Sequence, residues 1–184
     1  PPPALPDRDR GDQAPYTNAI PPTGTSLSED RFLEYVVNER NEQNLPSGAI
    51  FYEITETAAI SNLSRVVHFM QALKQLGCKF SLDDFGSGLS SFTYLKNLPV
   101  DYLKLDGQFI RNVAEDTVDE SMVKAISEVG HAMGIETIAE RVETRQVLEK
   151  LGALGIEFAQ GYYIARPTSV QSFAPWNAAA EMRA

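Results

Sequence analysis

Two adjacent aspartates, Asp83 and Asp84, follow a short apolar run and precede the sequence Phe-Gly-Ser-Gly. Adjacent carboxylates repel each other, so one of their pKa values rises unless a cation lies beside them. Mg²⁺, Mn²⁺ and Ca²⁺ all prefer oxygen ligands of this kind. The pair is therefore compatible with a divalent-metal site or with a solvated turn that begins with two aspartates, and this short stretch favours neither.

Other polar side chains stand at similar positions, each at or near the end of a short apolar run. They are Glu53 with Glu56, Lys104 with Asp106, Glu140, and Gln160. In a (β/α) barrel the carboxyl ends of the strands carry the active site, because the loops that follow them converge there. Three or four acids and one lysine that face a common mouth are suited to the metal-assisted attack of water on a phosphate ester.

The chain between these residues alternates between strand and helix. We predict strands over 50–54, 80–83, 102–105 and 136–139 and around residue 158, and helices over 63–76, 92–98, 120–133 and 144–151 and from residue 169. Gly77, Gly134 and Gly152 are expected to close three of the helices, which is typical of βα repeats. The predicted fold class is therefore α/β with parallel strands, a TIM-barrel-like (β/α) fold that is incomplete at about five βα units.

Composition changes near residue 28. Seven of the eleven prolines lie within residues 1–22, among Asp, Arg, Gly and Thr. Such a stretch buries too little surface to offset its ordering entropy, so we expect residues 1–27 to be a linker or irregular tail. Residues 28–184 are expected to form the partial barrel domain, beginning with a helix whose apolar face includes Val36 and Val37.

Charge and composition limit the possible partners and compartments. A net charge of −9 argues against a broad phosphate-binding surface, so neither DNA nor RNA is an expected partner. Cys78 is the single cysteine, which excludes an internal disulfide and suits a reducing compartment. The sequence has no run of about 18 apolar residues and no signal-peptide pattern. We expect a cytoplasmic segment without membrane contact, although a longer parent protein could be membrane-anchored elsewhere.

Five ordered motifs resemble those of the EAL family, bacterial phosphodiesterases that hydrolyse cyclic dimeric GMP (cyclic di-GMP) to a linear dinucleotide. The motifs are Tyr-Glu-Ile-Thr-Glu-Thr at 52–57, Asp-Asp-Phe-Gly-Ser-Gly at 83–88, Asp-Tyr-Leu-Lys-Leu-Asp at 101–106, Ala-Glu-Arg-Val-Glu at 139–143 and Gln-Gly-Tyr-Tyr at 160–163. The resemblance covers residues 26–173 and implies that cyclic di-GMP is the bound nucleotide.

The resemblance implies a metal role for three acids. Glu53, Asp83 and Asp84 are implied to be ligands of one or two Mg²⁺ or Mn²⁺ ions, and Ca²⁺ is implied to be inhibitory. Glu140 is implied to be the general base or a ligand of the second metal. Lys104 is implied to contact the attacked phosphate and the nucleophilic water.

Two further roles follow from the same resemblance. Glu56 is implied to brace the loop after Asp84, and Gln160 is implied to position substrate or water. The resemblance also allows a homodimer that forms through the loop after Asp84.

The chain departs from the family pattern at three places. It contains no Glu-Ala-Leu tripeptide, whose glutamate is a family metal ligand, and Pro21 stands where a ligand asparagine is expected. Arg141 replaces the usual glycine after Glu140, a change that we interpret as tolerated. A truncated domain, part of a longer chain and a degenerate family member would each explain the first two departures.

Two functions from different classes follow. The first is a metal-dependent cyclic di-GMP phosphodiesterase, of which this chain alone is expected to hydrolyse little or nothing because ligands are missing. The alternative is a non-catalytic, degenerate module that acts as a cyclic di-GMP receptor or as a protein-interaction domain.

Overall fold

The computed structural model describes residues 34, 36–38, 50–86 and 92–167, and a parallel sheet lies at its centre. Five strands stand in chain order: β1 (Phe51–Thr55), β2 (Lys79–Phe85), β3 (Tyr102–Leu105), β4 (Glu136–Ala139) and β5 (Phe158–Ala159). Every neighbouring pair is parallel. The five predicted strands and the incomplete α/β barrel class are confirmed, and β2 runs two residues past its predicted end.

Helices follow the strands, as the right-handed crossover of a βα unit requires. They are α1 (Glu56–Ser61), α2 (Leu63–Gln75), α3 (Phe92–Leu95), α4 (Gly107–Ile110), α5 (Thr117–Met133) and α6 (Arg145–Ala153). The helices α1 and α4, of six and four residues, were not predicted, because neither segment shows an apolar helical periodicity. Both begin at a capping side chain: Thr55 accepts from the N–H of Ala58, and Asp106 from that of Gln108.

The predicted glycine stops are confirmed after two helices and wrong after the third. Gly77 and Gly134 adopt left-handed φ values of 80° and 71° beyond α2 and α5. Gly152 instead lies inside α6, where the N–H of Leu154 still donates to carbonyls of the last turn. The left-handed turn is made three residues later by Gly155, whose φ is 82°.

The hydrophobic core lies between the sheet and the helices and fixes the positions of the strands relative to one another. Leu82 and Leu103 are fully buried in the sheet, and Val66, Met70 and Leu73 of α2 are buried against it. Val67 is only partly buried. Close packing of this kind restricts movement of the strands. The side chains at the strand ends therefore have defined positions.

Several predictions fall partly or wholly outside the described residues. They concern the tail at 1–27, the loop at 87–91 and the helix from residue 169. Of the helix expected after residue 28, Val36 is described, and it is helical and buried. None of the helices in the part of the chain that the structure describes is long and apolar enough to cross a membrane.

Candidate active site

A buried lysine at the carboxyl end of the sheet lies among three carboxylates from different strands. Lys104 Nζ is 3.1 Å from Glu53 Oε1, 3.0 Å from Asp83 Oδ1 and 2.6 Å from Glu140 Oε1. The side chain of Lys104 is only 5% exposed. The strand ends therefore bring four residues that are far apart in the sequence to one point.

An irregularity in β2 explains how two consecutive aspartates reach this point together. Leu82 pairs with Leu103 and Phe85 with Leu105, so three steps along β2 match two steps along β3. One extra residue in β2 is a β-bulge, which re-aims side chains at a strand end. Asp84 also adopts a left-handed φ of 55°. Consecutive side chains that would normally alternate can then converge.

Three carboxyl groups form a cluster with the spacing of a metal site. One oxygen each from Asp83, Asp84 and Glu140 lies within 4.8 Å of the other two. Asp83 Oδ1 is buried and receives no hydrogen bond from the described residues, so its contact with Lys104 is an ion pair without directed hydrogen-bond geometry. An all-oxygen donor set with an unsatisfied buried oxygen fits a hard divalent cation.

The protonation of Lys104 follows from its neighbours. Burial alone would lower the pKa of Lys104, because it disfavours the charged ammonium. The hydrogen bond to Glu140 and the charges of Glu140, Asp83 and Glu53 outweigh burial and raise the pKa above its ordinary value. Lys104 therefore carries its proton throughout the neutral range.

The acids of the cluster carry more negative charge than the lysine can balance. Burial raises the pKa of Asp84, and repulsion from Asp83 and Asp106 raises it further. The positive charges of Lys104 and Arg141 lower it, but by less. Burial also raises the pKa of Glu140, more than its hydrogen bond to Lys104 lowers it. Such upward shifts are expected where several carboxylates share one cation, and a divalent ion would relieve them.

A buried carboxylate ties together the two ends of the loop that follows Asp84. Glu56 is 3% exposed; its Oε2 accepts from the N–H of Gly86 at 3.2 Å, and its Oε1 accepts from the hydroxyl of Tyr94. Burial and this hydrogen bond raise the pKa of Tyr94, so its hydroxyl stays a donor. The sequence pattern alone would assign Tyr94 to packing, because its partner lies 38 positions away.

Gln160 reaches the cluster from the chain just beyond β5. Its Nε2 donates to Glu140 Oε1 at 3.0 Å, and its backbone carbonyl accepts from the N–H of Val142 at 3.0 Å. The next residue is Gly161, and a Cβ built there would stand 2.8 Å from the carbonyl carbon of Val142. Only glycine permits this approach of two backbones, which brings Gln160 to Glu140.

The structure places six of the seven predicted site residues around one point and the seventh beside it. The six are Glu53, Asp83, Asp84, Lys104, Glu140 and Gln160. Glu56 faces the loop after Asp84. The arrangement can hold a cation with oxygen ligands and can present an ammonium group and an oriented carboxylate to an anionic substrate.

Comparison with known proteins identifies relatives of this chain. Residues 5–167 match the family model of the EAL domain. The chain is 44% identical over 151 residues to the cyclic di-GMP phosphodiesterase PdeB of Shewanella oneidensis. The matched region covers 82% of this chain and 18% of that protein. It is 34% identical over 149 residues to the cyclic di-GMP phosphodiesterase PdeF of Escherichia coli, covering 81% and 20%. The chain thus spans only 18% and 20% of the length of these curated relatives.

Solved structures agree in fold. The PaMucR phosphodiesterase in complex with cyclic di-GMP is similar with a TM-score of 0.77 at 31% identity, covering 83% of this chain and 62% of that one. The FimX EAL domain from Pseudomonas aeruginosa bound to cyclic di-GMP has a TM-score of 0.79 at 26% identity, covering 84% and 64%.

Proposed function

Because this chain belongs to the EAL domain family, we propose that it is part of a phosphodiesterase that hydrolyses cyclic di-GMP to a linear dinucleotide. The observation that carries the proposal is the buried Lys104, which lies within 3.1 Å of carboxylate oxygens from three strand ends. The names of the relatives PdeB and PdeF and the nucleotide in the similar structures support the choice of substrate.

Glu53, Asp83, Asp84 and Glu140 are the residues that would hold the divalent cation, and we propose one or two Mg²⁺ or Mn²⁺ ions. EAL phosphodiesterases depend on metal, and the cluster of Asp83, Asp84 and Glu140 has only oxygen donors. A bound divalent cation supplies Lewis-acid stabilisation of the negative phosphate and lowers the pKa of water.

Lys104 serves as a fixed positive charge in this proposal. Its carboxylate neighbours keep it protonated, so it donates hydrogen bonds and does not accept a proton. Three short contacts from different strands also restrict its position. A fixed ammonium group of this kind stabilises charge on a phosphate without the need to reorganise during the reaction.

Glu140 is suited to accept the proton of the attacking water. The side-chain amide of Gln160 donates a hydrogen bond to one of its oxygens and so orients the carboxylate, as general-base catalysis requires. Gln160 is proposed to position substrate or water through the same contact. Glu56 is proposed to act indirectly, by holding Gly86 and Tyr94 on either side of the loop after Asp84.

Two wider expectations belong to this proposal. A homodimer through the loop after Asp84 stays a prediction from the family resemblance, and a cytoplasmic location stays a prediction from the single cysteine and the sequence patterns. The loop at 87–91 lies outside the described residues, and its contacts play no part in the argument.

A second candidate is a cyclic di-GMP receptor that binds without hydrolysis. Pro21 stands at a position where the family pattern has a ligand asparagine. Loss of metal ligands removes catalysis more readily than binding, because catalysis requires interactions that are stronger in the transition state than in the ground state.

The two functions are separated by incubating the chain with cyclic di-GMP and Mn²⁺ or Mg²⁺, with the linear product followed by chromatography. We expect slow, metal-dependent hydrolysis, below the ordinary enzyme range of about 1–10³ s⁻¹. Glu140→Gln should abolish it, and Glu128→Gln, which alters an exposed carboxylate on α5, should leave it unchanged.

Each other outcome has a distinct meaning. Turnover at ordinary enzyme rates would support the phosphodiesterase and contradict the expectation of weak activity. Binding in a calorimetric titration with Ca²⁺, without any hydrolysis, would favour the receptor. Failure both to bind and to hydrolyse cyclic di-GMP would contradict both functions.

A further inference from the structure

Arg141 is an exposed cation next to the site, and its backbone is strained. It directly follows Glu140 and adopts a left-handed φ of 53°, a conformation that favours glycine. A side chain other than glycine costs about 1–2 kcal/mol in this region. Strain of this kind often accompanies a functional requirement for the side chain.

We propose that Arg141 contacts the substrate directly and that its guanidinium binds the phosphodiester group that is not being cleaved. A cyclic dinucleotide carries two phosphodiester groups, and Lys104 with the acid cluster serves only the one under attack. A guanidinium group matches a phosphate with two parallel hydrogen bonds. The inference rests on the proposed function and adds to it a residue that selects substrates with a second phosphate.

The stem of Arg141 is held in place by a glycine. A Cβ built on Gly107 would stand 2.8 Å from Cγ of Arg141 and 3.0 Å from its Cβ, and would also overlap Cδ. The aliphatic part of Arg141 therefore lies directly on the bare backbone of Gly107 at the start of α4. A stem that is already positioned loses less conformational entropy when the guanidinium binds a ligand.

The charge of Arg141 is available at the edge of the acid cluster. No ion pair joins it to any other residue that the structure describes, whereas Arg145 Nε lies 2.8 Å from Glu149 Oε1. Its positive charge nevertheless acts on Asp84. Arg141 is thus an exposed cation beside the acid cluster that is not neutralised by an acid of its own among the described residues.

The test is calorimetric titration of the whole chain with cyclic di-GMP in the presence of Ca²⁺, which is expected to prevent hydrolysis. Arg141→Gln keeps most of the stem and removes the charge, and it should weaken binding about tenfold, as expected for a charged hydrogen bond at an exposed site. Arg141→Lys should lose less. Arg145→Gln is the matched control and should bind within about twofold of the unaltered chain.

A second variant tests the role of the stem. Gly107→Ala should also weaken binding, because its methyl group displaces Arg141, and it should add nothing in a chain that already carries Arg141→Gln. Thermal unfolding of every variant shows whether a loss of binding reflects misfolding.

The possible failures are distinguishable. Equal affinity of the Arg141→Gln variant and the unaltered chain would overturn this inference and leave the proposed function standing. Loss of binding in Arg141→Gly with full binding in Arg141→Gln would also overturn it, because the charge would then be irrelevant. An unaltered chain that does not bind cyclic di-GMP would overturn the inference and the proposed function together.

Discussion

The two ends of the same sheet differ in how they treat charge. At the amino ends of the strands two acids have partners of their own: Lys74 Nζ lies 2.8 Å from Asp101 Oδ1, and the other oxygen of Asp101 accepts from the N–H of Phe80 at 2.9 Å. Glu157 accepts from the N–H and hydroxyl of Thr137 and contacts His131. The charges of these two acids are locally satisfied.

At the carboxyl ends three acids share one ammonium group and a fourth has no ion pair among the described residues. Glu53, Asp83 and Glu140 all contact Lys104, and Asp84 stands beside them with a raised pKa. Charged residues of the same types are thus neutralised in pairs at the amino ends, whereas at the carboxyl ends they leave an excess of negative charge that the proposed metal site would use.

Removal of Lys104 should have the largest effect, because the surrounding carboxylates lose their shared cation. We expect Lys104→Met to lower the free energy of unfolding by about 3–5 kcal/mol without divalent cations. Urea denaturation followed by circular dichroism measures the change. Lys124→Met, which removes an exposed ammonium group 4.0 Å from Glu128, should cost less than about 0.5 kcal/mol. Similar losses in both variants would mean that the acids do not depend on Lys104.

Divalent cations should stabilise the chain through the carboxyl end alone. At about 100 times its dissociation constant, Mn²⁺ should add about 2.7 kcal/mol and raise the melting temperature by about 5–10 °C. Asp83→Asn should abolish this increase. Asp101→Asn, at the amino end, should lower the starting melting temperature and keep the increase. The measurement is thermal unfolding over a series of Mn²⁺ concentrations. If the melting temperature of the Asp83→Asn variant still rose with Mn²⁺, the cation would bind elsewhere.

Glu157 should make stability at the amino end depend on acid pH. Burial would raise the pKa of Glu157, but hydrogen bonds from the side chain and backbone of Thr137, and from His131, lower it below the ordinary 4.5. A carboxyl with a depressed pKa stabilises the fold above its unfolded pKa, and this contribution is lost as pH falls through the folded value. Glu157→Gln should therefore cost about 1–2 kcal/mol at neutral pH and progressively less below about pH 4.5.

Urea unfolding of both proteins between about pH 7 and pH 3 measures this difference. Glu149→Gln is the control, because Glu149 forms an exposed ion pair with Arg145 and its substitution should show little effect at any pH. A cost of Glu157→Gln that did not change with pH would show that the charge of Glu157 contributes nothing.

Arg141→Gly should produce the smallest change and one of opposite sign. Glycine adopts the φ of 53° without strain, so the free energy of unfolding should rise by about 0.5–1 kcal/mol. Arg145→Gly, in the first turn of α6, should lower it by a similar amount. Thermal unfolding measures both variants, and destabilisation by Arg141→Gly would mean that packing on Gly107 outweighs the backbone strain.

The strands and the polar residues at their ends could be predicted from the sequence because both are local signals. Apolar runs bounded by glycine and proline mark the strands, and the carboxyl ends of parallel strands necessarily meet at one edge. Because Glu53, Asp83, Lys104 and Glu140 lie at or near these strand ends, their proximity could be predicted without knowledge of any contact.

The features that were missed depend on contacts between distant residues or on single backbone angles. Tyr94 donates to a carboxylate 38 positions away, and no local pattern marks that contact. The left-handed conformation of Arg141 contradicts the usual preference of its residue type, so propensity gives the wrong answer there. Gly152 and Gly155 lie three residues apart at the end of the same helix, and it is the second that adopts the left-handed conformation.

Because β2 has one extra residue, the face on which the aspartate side chains lie depends on whether the number of residues between its paired positions is odd or even. In a regular strand, Asp83 and Asp84 would point to opposite faces, and one of them would lie among the helices. Deletion of one residue between Leu82 and Phe85 would restore one-to-one pairing with β3 and would also remove either Asp83 or Asp84. Such a chain should have a more regular sheet and a weaker hold on divalent cations, so an alignment gap of one residue here would distinguish a binding member of the family from a purely structural one.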